Sequence, residues 1–168
     1  MNGRALIVVD LQNGFINRHT RHIRRRIERF QQQFEHVVVT RYYRRPEALM
    51  VRLLRIDGYE KGSREAELAF RPREGALVVD KTSYSCVDDD LVQRLRAWGV
   101  REAYICGVDT DQCVFMIAAD LLQNDIVPIV CENLTASAAG PEFHEAALFL
   151  LRRLIGREQV RKCECKRN

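Results

Sequence analysis

The chain has 168 residues, 46% of them hydrophobic, and a net charge of +4. That length supports one self-supporting domain over residues 1–168 and is too short for two ordinary cores. The apolar runs fall well short of the about 20 residues a membrane span needs, and MNGRALIVVD lacks a signal-peptide cleavage site. The six cysteines have no framework-like spacing, so they read as reduced thiols in a cytoplasmic protein.

In chain order, valine- and isoleucine-rich runs alternate with helical patterns. Strands are expected near 5–10, 36–41, 76–81, 101–108, 126–132 and 159–164, with helices near 21–35, 88–98, 111–123 and 141–155. The first helix is arginine-rich, but Ile23, Ile27, Phe30 and Phe34 recur at helical spacing. Its arginines are therefore read as a solvated face, and nucleic-acid binding as unlikely, with no nucleic-acid-binding motif to support it. The stretch from Arg44 to Glu74 carries Gly58, Gly62, Pro46 and Pro72 and is long for a connection, so short helices arching over a site are expected there. The last helix opens with Gly140-Pro141, and proline suits a first helical turn. Alternation of this kind predicts an α/β protein: a three-layer α/β/α, Rossmann-like arrangement with a six-stranded, mainly parallel sheet covered by helices on both faces.

In such sheets ligands bind beyond the carboxyl ends of the strands. Asp10, Lys81 and Cys113 all fall at that edge, an acid, a cation and a nucleophile candidate on one rim. Singly, each has an ordinary explanation as a turn cap, a snorkelling cation or a small core residue.

The segments VVDLQNGF (8–15), LVVDKTSYS (77–85) and ICGVDTDQCV (105–114) resemble the signature blocks of the isochorismatase-like cysteine hydrolases, the superfamily that includes nicotinamidase and N-carbamoylsarcosine amidohydrolase. GSREAEL (62–68), ENLTAS (132–137) and FHEAAL (143–148) extend the likeness over most of the chain. The resemblance implies a catalytic triad of Asp10, Lys81 and Cys113, a cis peptide between Val108 and Asp109, and an oxyanion hole from the backbone N–H groups of Asp109 and Cys113. It implies hydrolysis of a C–N bond in a small molecule through a thioester, without a cofactor, by a dimer or tetramer. A thiol with a pKa near 8.5 needs a helix N-terminus, a cation or a base to attack as thiolate, and all three are expected around Cys113.

Some positions depart from the family. Nicotinamidases carry an Asp-x-His metal cluster after the second strand; TRYYRRPEAL (40–49) stands there, so no metal is expected. Cys163-x-Cys165 is set aside as a zinc site for want of partners. Asp109 stands where relatives often have alanine, serine or threonine; it either faces the pocket, favouring a substrate with a neutral donor or an amine, or caps the following helix. Phe15 and Tyr84 resemble pocket-wall positions, with a core role as the alternative. His144 is expected to stack on its own helix. Vinyl-ether hydrolysis of the isochorismatase type, or an inactive scaffold that binds nucleic acid or a partner, are the competing readings.

Overall fold

A computed structural model of the chain describes residues 3–164. Its strands are β1 (Arg4–Val9), β2 (His36–Tyr42), β3 (Leu77–Lys81), β4 (Glu102–Val108), β5 (Val127–Ala136) and β6 (Val160–Arg161), and its α-helices are α1 (Arg21–Phe30), α2 (Leu49–Leu54), α3 (Asp89–Ala97), α4 (Phe115–Gln123) and α5 (Pro141–Leu154). All strand pairs are parallel, in the order β3-β2-β1-β4-β5-β6. The chain winds outward from β1 to β3, then returns to the other side of β1 with β4. The carboxyl ends of β1 and β4 therefore flank the switch point where ligands enter sheets of this type.

Successive residues of a strand point to opposite faces, and both faces of this sheet are covered. Ala5, Ile7 and Val9 belong to one core with Leu91 and Leu95 of α3, Ile117 and Leu121 of α4, and Leu148 and Leu151 of α5. Leu6 and Val8 belong to the other, with Ile23, Ile27 and Phe30 of α1. The arginines of α1 are exposed on its outer side while these three apolar residues are buried, which is the amphipathic stripe that the spacing predicts. α3 is capped by Asp88, whose Oδ1 accepts from the Leu91 amide at 2.9 Å.

α1, β5 and β6 differ from the sequence expectation. α1 stops at Phe30 rather than 35 because Gln31 turns inward: fully buried, it donates to the Arg71 carbonyl and accepts from the Arg73 amide. Phe34 still packs, tilted against Tyr104 with ring centroids 5.2 Å apart, which is why the periodicity ran past the helix. β5 runs to Ala136, because a register shift lets Thr135 and Ala136 rejoin the ladder beside Gly107 and Val108. β6 is only two residues long. Cys165 lies outside the described residues.

Candidate active site

Asp10 follows β1 directly and has φ +44°, a left-handed conformation that aspartate tolerates better than most residues. Thr40, fully buried on β2, holds it there. The Thr40 hydroxyl accepts from the Asp10 amide at 3.0 Å and donates to Asp10 Oδ1 at 2.6 Å. That leaves Oδ2 facing Lys81, whose Nζ lies 2.6 Å away with both side chains almost fully buried. The same Nζ lies 3.3 Å from Cys113 Sγ and donates to the Ser83 carbonyl at 2.9 Å. Segments far apart in sequence thus bring a carboxylate, an ammonium and a thiol into one contact group.

Cys113 reaches the group from a π-helical turn, Thr110–Val114, ahead of α4. This corrects the expected helix start at 111. Burial pushes the Cys113 thiol well above its ordinary range, the Asp10 carboxylate pushes it further, and Lys81 opposes only in part. These influences favour the thiol form of Cys113 over the thiolate. Burial pulls Lys81 down, but Asp10 and Cys113 outweigh it and raise it overall, so the ammonium stays charged.

A cavity of about 390 Å³ opens onto Cys113, with Phe15, Tyr42, Met50, Leu54, Tyr59 and Tyr84 among its walls. Phe15 and Tyr84 therefore stand at the pocket. α2 and the residues after it supply Met50, Leu54 and Ile56, so the irregular segment does arch over the site. Fully buried Gln12 ties the β1 loop down: its amide accepts from Tyr42 N at 2.7 Å and donates to the carbonyls of Tyr42 and Ala66 at 2.9 Å each. Phe15 then packs against Tyr59, the rings tilted with centroids 4.7 Å apart. Gly14 is needed beneath that ring, since a Cβ there would fall 2.5 Å from the Tyr59 hydroxyl.

The peptide bond between Val108 and Asp109 is cis. The Asp109 side chain does not cap the following turn. Its Oδ1 instead accepts from the Ala138 amide at 2.6 Å, tying the end of β4 to the loop after β5, and Asp109 is not among the residues lining the cavity. Burial outweighs that hydrogen bond and raises the Asp109 carboxyl from 3.8 to about 7. A raised acid pKa means that the folded chain holds the proton more tightly than the unfolded chain. This contribution to stability is complete below about pH 4 and is lost as pH rises through about 7. Asp109→Asn keeps the acceptor for Ala138 without the charge, so thermal melts are expected to show it a few °C more stable than wild type at pH 8 and no more stable at pH 4.

His144 does not stack on α5; its Nδ1 is 2.8 Å from the buried Thr110 hydroxyl, next in sequence to Asp109. Thr40, Gln12, Tyr59 and the Thr110–His144 pair are absent from the sequence reading. Gln12 lay inside a quoted motif, but only the structure reveals what its side chain holds. Thr40→Val removes both bonds to Asp10 and leaves its amide buried without a partner. A loss of about 1–3 kcal/mol in stability and of at least about 10-fold in kcat/KM is expected, with Thr40→Ser restoring both; equal stability loss and kcat/KM change in the serine variant would refute the hydroxyl's role.

In TRYYRRPEAL, the stretch that runs out of β2, the side chains include Tyr42, Tyr43, Arg44 and Arg45, and the Arg44 guanidinium is ion-paired with Glu60. Phenols and guanidinium cations of this kind do not fit a divalent metal. Among the described residues no group of three or more His, Cys, Asp or Glu is arranged to hold a metal ion.

The isochorismatase domain family matches residues 4–159. No curated protein matches the chain. Among solved structures, an isochorismatase-like hydrolase from Alkaliphilus metalliredigens is similar with a TM-score of 0.83 at 24% identity, over 95% of this chain and 94% of that one. N-carbamoylsarcosine amidase from Thermoplasma acidophilum gives 0.82 at 25% identity, over 99% of each chain. Nicotinamidase PncA from Bacillus subtilis gives 0.81 at 24% identity, over 95% of this chain and 99% of that one.

Proposed function

Because the chain belongs to the isochorismatase family of hydrolases, we propose that it cleaves a C–N bond of a small amide, ureide or carbamoyl compound through a thioester on Cys113. The observation that carries this reading is Lys81 Nζ standing 2.6 Å from Asp10 Oδ2 and 3.3 Å from Cys113 Sγ, beside a cavity large enough for a small molecule.

Asp10 takes the thiol proton as Cys113 attacks the carbonyl carbon, so that charge separates only when substrate is in place. Lys81 stays protonated and balances first the carboxylate, then the thiolate. The oxyanion is received by the backbone amides of Asp109 and Cys113, each such donor being worth about 100-fold or more in rate. Asp10 returns its proton to the departing amine or ammonia, then draws one from the water that hydrolyses the thioester, and the acid leaves with the thiol restored. Similarity to an N-carbamoylsarcosine amidase and a nicotinamidase supports an amide-type carbonyl. The Phe15, Tyr59, Tyr84 and Met50 walls favour a substrate with an apolar or flat group beside the scissile bond.

The enzyme works as a cytoplasmic homo-oligomer in this reading, with exposed Phe143, Phe149, Leu150 and Leu154 of α5 supplying apolar contact surface. A panel of small amides, ureides and carbamoyl compounds screened for ammonia release, with an intact-mass search for an acyl group on Cys113, tests the reaction. Release of ammonia with acylated Cys113 supports it. Turnover of a vinyl ether with no acyl adduct overturns it.

A further inference from the structure

Cys106, Cys131 and Cys163 lie together in the core beneath α1, a group of thiols that the reaction at Cys113 does not use. Cys131 sits on β5 opposite Arg161 of β6, and Cys163 follows two residues later. The Asn133 side chain clamps the Cys163 backbone, accepting from its amide at 2.8 Å and donating to its carbonyl at 3.0 Å. That clamp seats Cys163 beside β5 although the β6 ladder has already ended. Cys131 is fully buried, whereas Cys163 is 7% exposed and lines a surface cleft of about 290 Å³ with Arg4, Tyr104 and Arg161. None of the residues of this cleft lines the cavity at Cys113.

We propose that Cys163 is an oxidation site that reacts with a small hydroperoxide entering this cleft, and that Cys131 resolves it to a reversible Cys131–Cys163 disulfide. Cys163 Sγ donates to the Arg161 carbonyl at 3.7 Å; the neighbouring Cys131 thiol and the Arg161 charge nonetheless favour the Cys163 thiolate, against the cost of burial, and hold the thiol below its ordinary range. Cys106 and Cys131 are pushed well above theirs by burial. Of the clustered thiols, Cys163 is the one that reaches the cleft, where a peroxide can meet it.

The thiolate sulfur of Cys163 attacks a peroxide oxygen, the O–O bond breaks, and the alcohol leaves with the proton given up by the thiol. Cys163 is then a sulfenic acid. The Cys131 thiol attacks that sulfur, forming the S–S bond and releasing water. Two electrons and two protons pass from the thiols to the hydroperoxide. The product ties the two-residue edge strand β6 to the sheet covalently.

Hydrogen peroxide added to the full chain, followed by peptide mapping without reductant, tests this. A linked peptide pair holding Cys131 and Cys163 is expected, together with a rise of about 5–10 °C in melting temperature that dithiothreitol reverses. The linkage forms equally in a Cys113→Ala background, which separates it from chemistry at the active site. In Cys131→Ala the Cys163 sulfenic acid has no resolving thiol, so dimedone captures it; in Cys163→Ser, at the tolerant edge of the fold, the melting shift disappears. Cys163 left as a free thiol, oxidised to sulfinic acid while Cys131 stays reduced, or a melting shift that survives in Cys163→Ser would overturn the proposal.

Discussion

Alanine in place of Cys113 is expected to abolish turnover, by about 10⁴-fold or more, and to leave a folded protein. In the proposed reaction Cys113 is the nucleophile, and it is the one member of the contact group whose loss can be separated from stability. Removing Lys81 or Asp10 would strand the opposite charge in a buried site, at a cost of about 3–5 kcal/mol, and would confuse lost chemistry with lost folding. Removing the Cys113 sulfur deletes a small, protonated, 8% exposed group and leaves the Asp10–Lys81 pair with its Thr40 and Ser83 partners. The melting temperature should therefore move by no more than a few degrees. Two measurements check this: ammonia release with the best substrate of the panel, and a thermal melt. Residual turnover within about 10-fold of wild type would place the nucleophile elsewhere, with Cys113 a core thiol.

Gly107→Ala should do the reverse, destroying the fold before any question of catalysis arises. Gly107 has φ +110°, a conformation that side chains rarely adopt. It pairs with Val9 of β1, and a Cβ there would lie 2.1 Å from the Val9 carbonyl oxygen and 2.7 Å from the Val9 nitrogen. Neither neighbour is the free end of a flexible side chain; both are backbone of the central strand, immediately before Asp10. Backbone strain and overpacking each cost on the order of 1–3 kcal/mol, and together they take a large share of the 5–15 kcal/mol by which a domain is stable. The expected result is mostly insoluble protein, or a soluble fraction with a urea midpoint far below wild type. A variant with an unchanged midpoint would mean that β1 and β4 can part at that point without loss.

Both predictions concern one place, the meeting of β1 and β4, and it is also where sequence reading served best. Apolar runs a few residues long, bounded by Asp10, Lys81 and Asp109, mark strands whose carboxyl ends must lie together in a parallel sheet. Asp10, Lys81 and Cys113 could be singled out at the rim for that reason. Local pattern was less reliable where a side chain overrides it. Gln31 ends α1 by turning into the core, and a register shift carries β5 onward to Ala136, neither of which periodicity can express. The Asp109 carboxyl was open to two readings, pocket or cap, and took a third partner, the Ala138 amide, from a loop remote in sequence.

The sequence by itself determined the class of fold, because alternating strand and helix periods leave few ways to bury both faces of a parallel sheet. It also determined which residues could meet at the carboxyl rim, because a strand end is a position along the chain. Tertiary structure alone decided the state of those residues. The raised Cys113 thiol, the raised Lys81 and the Asp109 carboxyl pushed up to about 7 follow from burial and from partners that sequence does not place beside them. It decided likewise which cysteines are neighbours, since Cys131 and Cys163 come together only when β6 lies down along β5. Connectivity is written along the chain, whereas electrostatic environment depends on distances that exist only after the chain has folded.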